Sequence, residues 1–187
     1  FRLGDFCEMF DEEAKVAARE LDLPLTTRDR GKPKEEQTPM CGVPYHSVDA
    51  YIARLVAKGY KVAICEQMED PATAKGLVKR EVIRMITPGT VMETSMLREE
   101  SNNFIAAVYM DSRGGGVCFC DVSIGECFAT QTTAAEAGAE LVNELGRFSP
   151  AEVLLSQGAE QCASLLDFAE NRLDCYLVRG REHLFAF

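Results

Sequence analysis

The chain has 187 residues, 47% of them apolar, with 30 acidic against 20 basic side chains and a formal net charge of −10. That length and apolar content allow one large domain or two small ones with real cores, and no apolar run approaches the roughly 20 residues of a membrane span. No secretory leader is visible, and Phe1 falls inside an apolar run, as expected of a fragment of a longer protein.

The charge is unevenly spread. Residues 1–90 carry 14 Lys and Arg against 15 Asp and Glu, a net of −1, whereas residues 91–187 carry 6 against 15, a net of −9. Only the first half has enough cations to touch phosphate. Eight cysteines (Cys7, Cys41, Cys65, Cys118, Cys120, Cys127, Cys162 and Cys175) are scattered through mostly apolar stretches. With no C-x-x-C, and His46 and His183 far apart, they predict free thiols packed as small apolar residues in a reducing cytosol, and no metal site. Cys118 and Cys120 would share one face of a strand.

In chain order, "GDFCEMF" (4–10) reads as a turn entering a helix, and "FDEEAKVAAREL" (10–21) continues it with Phe10, Ala14, Ala17, Ala18 and Leu21 at helical spacing. Acidic residues occupy its first turn and Pro24 follows it. "LTTR" is a short strand, and "DRGKPKEEQTP" (29–39) is a polar loop holding Arg30, Lys32 and Lys34. "MCGVPYHS" is punctuated by Gly42 and Pro44, and Ser47 is a natural cap for a second amphipathic helix bearing Val48, Ile52, Leu55 and Val56 up to Gly59. "KVAICEQ" (61–67) reads as a mostly buried strand, and "REVIRMITPGT" (80–90) as another, closed by Pro88 and Gly89.

A change of register follows at 91–102. "NFIAAVYMD", "GVCFCDVS" and "GECFAT" form an antiparallel meander, with "SRGGG" and "SIG" as its turns. A helix over 132–148, a strand in "AEVLLS", a helix over 160–169 and a strand in "CYLVR" complete the order of an RNase H-like domain. The fold class is therefore mixed α+β and α/β in two domains: 1–90 with a mixed sheet, a linker over 91–102, and an RNase H-like domain over 103–187.

RNase H-like order raises a metal-dependent nuclease, with Asp111, Asp121 and Glu126 as the acids on or near its first three strands. Two-metal phosphodiester chemistry needs several carboxylates converging within about 4 Å of paired ions. These acids read instead as strand ends, and Glu136, Glu140 and Glu144 as a solvated helix face. No G-x-x-x-x-G-K-[ST] loop and no Ser/His/Asp or Cys/His grouping is present. By its own motifs the chain is not an enzyme, and no catalytic or metal-binding residue is assigned.

Phe6-x-Glu8 admits two readings. In one, Phe6 and Phe10 are core residues and Glu8 is an ordinary first-turn acid. In the other, an aromatic ring leaves the core to wedge into a DNA step from the minor groove, unstacking and kinking it, while the carboxylate meets a base edge. A carboxylate is repelled by phosphate, so it suits a protein that must discriminate more than it must bind tightly.

"FRLGDFCEMF" followed by "TPMCGVPYHSVDAYIARLVAKGYKVAICEQMEDPATAKGLVKREVIRMITPGT" (38–90) resembles the N-terminal part of the bacterial MutS family of DNA mismatch recognition proteins, in both spacing and order. The second half resembles the family's connector domain, more by topology than by residue. The resemblance implies that Phe6 is the wedge that stacks on a mispaired base, and that Glu8 hydrogen-bonds that base, carrying a proton when it meets a ring-nitrogen acceptor. Cys7 departs from relatives that place Tyr or another larger residue there, and as a spacer it is expected to point away from the wedge. Retention of Phe-x-Glu implies a mismatch reader and not one of the family's mismatch-insensitive branches.

Arg2, Arg28, Arg30, Lys32, Lys34, Lys75 and Lys79 are the candidate phosphate contacts. They would position the duplex, leaving discrimination to Phe6, Glu8 and the low cost of bending a mispaired step. The resemblance further implies mismatched or looped double-stranded DNA as the partner of the first domain and MutL as the partner of the acidic connector. It implies a cytoplasmic, nucleoid-associated protein that binds no membrane. ATP, Mg2+ and homodimerisation belong to the full-length parent, a DNA-dependent ATPase, in regions expected beyond Phe187; no cofactor is expected in this chain. An interaction fragment that folds but shows no preference for mispaired DNA is the alternative, because one wedge neutralises few phosphates and the net charge is unfavourable.

Overall fold

The computed structural model describes residues 1–70, 73–74, 76–92, 102–180 and 184–185. These form two compact units, Phe1–Ile86 and Thr87–Phe187.

In the first unit, β1 (Arg2–Leu3), β2 (Phe6–Phe10), β4 (Pro39–Pro44) and β3 (Thr26–Thr27) form a sheet in the order β1-β2-β4-β3, every pair antiparallel. The segment 6–10 is thus a strand, not the mouth of a helix. Helix α1 (Asp11–Leu21) starts where β2 stops, and Asp11 makes the joint with a left-handed φ of +52°. "MCGVPY" also departs from the sequence reading. Read from the sequence only as punctuated by Gly42 and Pro44, it is strand: β4 runs through both residues because β2 and β3 pair with it on both sides.

The helical spacing of α1 holds: Ala14, Ala17, Ala18 and Leu21 are all buried, against Cys41 and Leu55. Helix α2 (Val48–Ala57) buries Ile52, Leu55 and Val56. Ser47 does not cap it, because its hydroxyl donates to the Pro44 carbonyl. Strands β5 (Val62–Gln67) and β6 (Arg80–Ile86) form a separate two-stranded sheet. Such a ribbon cannot cover both its faces, so Cys65 alone of β5 is fully buried, against the expectation for 61–67, and Val82, Ile83 and Met85 of β6 are exposed.

α1 ends on Asp22 at φ +56°, a conformation glycine adopts without penalty. Asp22→Gly is expected to raise the stability of this unit by about 0.5–1 kcal/mol in urea denaturation. The contact it removes, to Arg54 at 3.5 Å, is solvent-exposed and contributes little.

In the second unit, β7 (Phe104–Asp111), β8 (Gly114–Asp121) and β9 (Glu126–Thr133) form the expected meander, followed by α3 (Ala137–Phe148), β10 (Glu152–Leu155), α4 (Gln157–Glu160), α5 (Ala163–Asn171) and β11 (Tyr176–Arg179). The sheet order is β11-β10-β7-β8-β9, with β10 parallel to both β7 and β11, which is the topology the element order predicts for an RNase H-like sheet. Phe104, Val108, Phe119, Leu145, Val153 and Leu165 fill the core beneath the helices, and the Phe119 and Phe148 rings stack at 4.1 Å.

Three boundaries differ from the sequence reading. Gly114–Gly116 belong to β8, not to a turn, because they pair with Gln131–Thr133. The threonines at the end of β9 favour a strand, so the helix begins at Ala137 and not at 132. The helix expected over 160–169 is α5, which begins only at Ala163, and the short α4 before it, ending at Glu160, was not expected. Not all cysteines are free, either: Cys120 and Cys127 are joined by a disulfide across β8 and β9.

Thr87–Thr90, expected as the end of a strand, instead leaves β6 as a 3₁₀ turn over Pro88–Thr90 with Thr87 as its cap. The buried carboxylate of Glu152 accepts hydrogen bonds from the Thr87 hydroxyl and the Gly89 N–H, and so holds this turn against β10.

Candidate nucleic-acid interface

Strand alternation places Phe6, Glu8 and Phe10 on one face of β2 and Cys7 and Met9 on the other. Met9 lies opposite the buried Cys41 and packs with α1, and Cys7 lies opposite the buried Val43. The helices therefore cover the Cys7–Met9 face, and Phe6 and Glu8 stand side by side on the face opposite. Burial pushes the Cys7 thiol up, as suits a packing spacer. The ring of Phe6 is 49% exposed and Glu8 is half-buried.

Three features shape the surroundings of this pair. The backbone of Phe1 pairs with Glu8 in both directions at 2.8 Å, and the Phe1 ring lies 5.9 Å from that of Phe10. Gly42 faces Glu8 in the register, and a Cβ there would lie 3.3 Å from both Glu8 Cγ and the Cys7 carbonyl oxygen. Glycine at 42 thus leaves room for the Glu8 stem, a role invisible without the pairing of β2 with β4. Pro44 faces Phe6.

Of the candidate cations, Arg28 and Arg30 come to this face. The Arg28 guanidinium is 5.7 Å from the Phe10 ring centre, and Arg30 donates to the Thr26 hydroxyl at 3.2 Å. Thr26 faces Met40, which faces Phe10. Lys32 lies 3.6 Å from Asp29, and Lys34 is exposed at the start of a 3₁₀ turn over Lys34–Glu36. Arg2 is on the other face, opposite Cys7, with its guanidinium over the Tyr45 ring at 3.8 Å and 3.5 Å from Glu66. Lys79 pairs with Glu81 at 2.7 Å beside β6. Lys75 lies outside the described residues.

The acids of the nuclease alternative do not converge. Asp111 faces Gly114 and Asp121 faces Phe104, which puts the two aspartates at opposite ends of the β7–β8 pair, on the order of 20 Å apart. Arg113 binds Asp111 through its backbone N–H and guanidinium, holding that carboxyl below its usual range. Glu126 faces Asp121, but the oxygens of Asp121 are occupied by the Ser123 hydroxyl and by the N–H groups of Asn103 and Ser123. Burial opposes the charged form of Asp121; these donors outweigh it and hold the carboxyl below its usual range.

A folded-state value below the unfolded one makes the Asp121 contribution complete above the unfolded value, about 3.9, and lost as pH falls through the folded one. The stability difference between this chain and Asp121→Asn is expected to be constant above about pH 5 and to shrink as pH falls below 4, in urea titrations at stepped pH.

The family model for MutS domain I matches residues 1–95, and that for MutS domain II matches residues 103–180. The chain belongs to the MutS family. Among its relatives, a protein of Acetivibrio thermocellus named DNA mismatch repair protein MutS is 48% identical over 99% of this chain, and one of the same name from Ruminiclostridium cellulolyticum is 44% identical over 100%. A third, from Syntrophomonas wolfei, is 53% identical over 83%. The chain spans 21% of the length of the first two and 18% of the third. Within the MutS family's order of domains, the Phe6–Glu8 sheet lies in domain I and the RNase H-like sheet in domain II.

Proposed function

We propose that this chain is the mismatch-reading and connector portion of a DNA mismatch repair protein. Phe6 enters the minor groove at a mispair, stacks on one mispaired base and kinks the duplex, and Glu8 hydrogen-bonds that base. The observation that carries this reading is the placement of a half-exposed aromatic ring beside a carboxylate on the helix-free face of β2. Arg28 and Arg30, on the same side of the sheet, serve as the nearest phosphate contacts, with Lys32 and Lys34 beyond them. Arg2 and Lys79, already paired with Glu66 and Glu81, and Lys75 are weaker candidates for that role.

A mispaired step stacks poorly and bends at low cost, so deformability finds the site and the Glu8 contact then discriminates. The acidic second unit, kept off the duplex by its charge, faces protein; MutL is the partner proposed for it. ATP, Mg2+ and homodimerisation are assigned to the rest of the parent, and the setting proposed is the cytoplasm, at the nucleoid.

Fluorescence anisotropy at low salt, comparing a duplex with one G·T mispair to its fully paired control, tests the reading. Tighter binding of the mispair supports it. Equal or absent binding by the folded chain favours the interaction-fragment alternative, which the net charge of −10 makes the natural competitor.

A further inference from the structure

Cys120 and Cys127 stand at the ends of β8 and β9 that meet at one turn, directly opposite each other in the register. Their Cα atoms are 4.2 Å apart and their sulfurs are bonded. That separation matches the non-hydrogen-bonded kind of antiparallel pair, in which facing side chains approach most closely. Strand alternation puts Cys120 on the face opposite Phe119, whose ring is buried under the helices. β9 is the edge strand, exposed at every position from 126 to 131, and Cys127 is open to solvent. Cys118, on the same face as Cys120, faces Ala129 and is exposed and free.

We propose that Cys120 and Cys127 form a reversible dithiol–disulfide modification site, oxidised by a peroxide and reduced by a small or protein dithiol. In the oxidation, the Cys127 thiolate attacks one peroxide oxygen, the O–O bond breaks, and the other oxygen leaves as hydroxide and takes up a proton to form water. Cys120 then attacks the resulting sulfenic sulfur, which releases its oxygen as a second water and closes the S–S bond. Two protons and two electrons leave the thiols, and an incoming dithiol returns them.

The register brings the two sulfurs together in the folded sheet, whereas Cys118 has an alanine opposite and no facing partner. Cys41 is buried and faces Met9, and Cys175 is half-buried; burial raises both thiols, Cys175 to about 11. In a reducing compartment a disulfide on an exposed sheet edge is of the transient, redox-responsive kind. Its effect here is to close the Asp121–Glu126 turn covalently and hold β9 onto β8.

The chain, fully reduced with dithiothreitol, is treated with hydrogen peroxide, denatured, alkylated, and mapped by proteolysis and mass spectrometry. The expected result is a Cys120–Cys127 cross-link forming at least about tenfold faster than any other pair, with two of the eight thiols protected and all eight recovered with dithiothreitol. Cys118→Ser leaves this unchanged, and Cys127→Ser, still folded by circular dichroism, abolishes the cross-link. Peroxide oxidation that leaves Cys120 and Cys127 alkylatable overturns the proposal. So does a cross-link from Cys118 to either residue, or the same preference for the pair when the chain is oxidised in denaturant.

Discussion

Replacing Phe6 by Ala is expected to lower the preference for a G·T-mispaired duplex over its paired control by roughly 5- to 150-fold, enough to erase a modest preference altogether. The figure follows from the loss of one base–aromatic stack, worth about 1–3 kcal/mol. The substitution reads recognition and not folding, because the ring is half exposed and lies on the face that the helices leave uncovered. Its effect on stability is expected to stay within about 0.5 kcal/mol.

Glu8→Gln makes a useful companion. It keeps a side chain able to donate to a base nitrogen and removes the charge that repels phosphate. Affinity for the paired duplex is expected to rise and the preference for the mispair to narrow. Anisotropy titrations of both variants against the mispaired and paired duplexes check this. A Phe6→Ala variant with an unchanged preference means the ring does not touch the base.

In the second unit, Glu152→Leu is expected to cost about 2–4 kcal/mol, and to lower the melting temperature by roughly 10–20 °C in circular dichroism. Glu152 is buried, and its carboxylate is the acceptor for the Thr87 hydroxyl and the Gly89 N–H. Leucine fills the volume but leaves the buried Gly89 N–H without its acceptor and the Thr87 hydroxyl with only the Thr90 hydroxyl beside it, and an unmet buried donor costs about 1–3 kcal/mol. Glu152→Gln retains an acceptor oxygen for one of them and is expected to cost less than half as much.

The same turn is close-packed as well as hydrogen-bonded. A Cβ on Gly89 would come within 2.7 Å of Glu152 Cβ and 2.9 Å of Ile105 Cβ. Gly89→Ala is therefore expected to lift the turn off the sheet and weaken the same contacts, so that its cost and that of Glu152→Leu combine less than additively.

Much of this protein was legible from local pattern. The apolar spacing of α1 and α2 marked their buried faces, since a helix repeats within the few residues that make it. The alternation and turns of β7–β9, followed by helix and strand in turn, were enough for the sheet order of the second unit, because short connections leave few ways to close such a sheet. The chemical identity of the Phe6–Glu8 pair was also plain in the sequence.

What tertiary structure decided was where those residues point and what surrounds them. Phe6 to Phe10 begins like a helix by local preference and becomes a strand only because β1 and β4 pair with it. That pairing puts Phe6 and Glu8 on one face and brings Gly42 opposite Glu8 from 34 positions away in the chain. The Cys120–Cys127 bond follows from register, and the Glu152 contacts to Thr87 and Gly89 join residues separated by 65 and 63 positions. Local pattern is set by side-chain periodicity within one element, whereas these contacts arise only after distant strands meet, when the register, and not the order of residues, determines which side chains become neighbours.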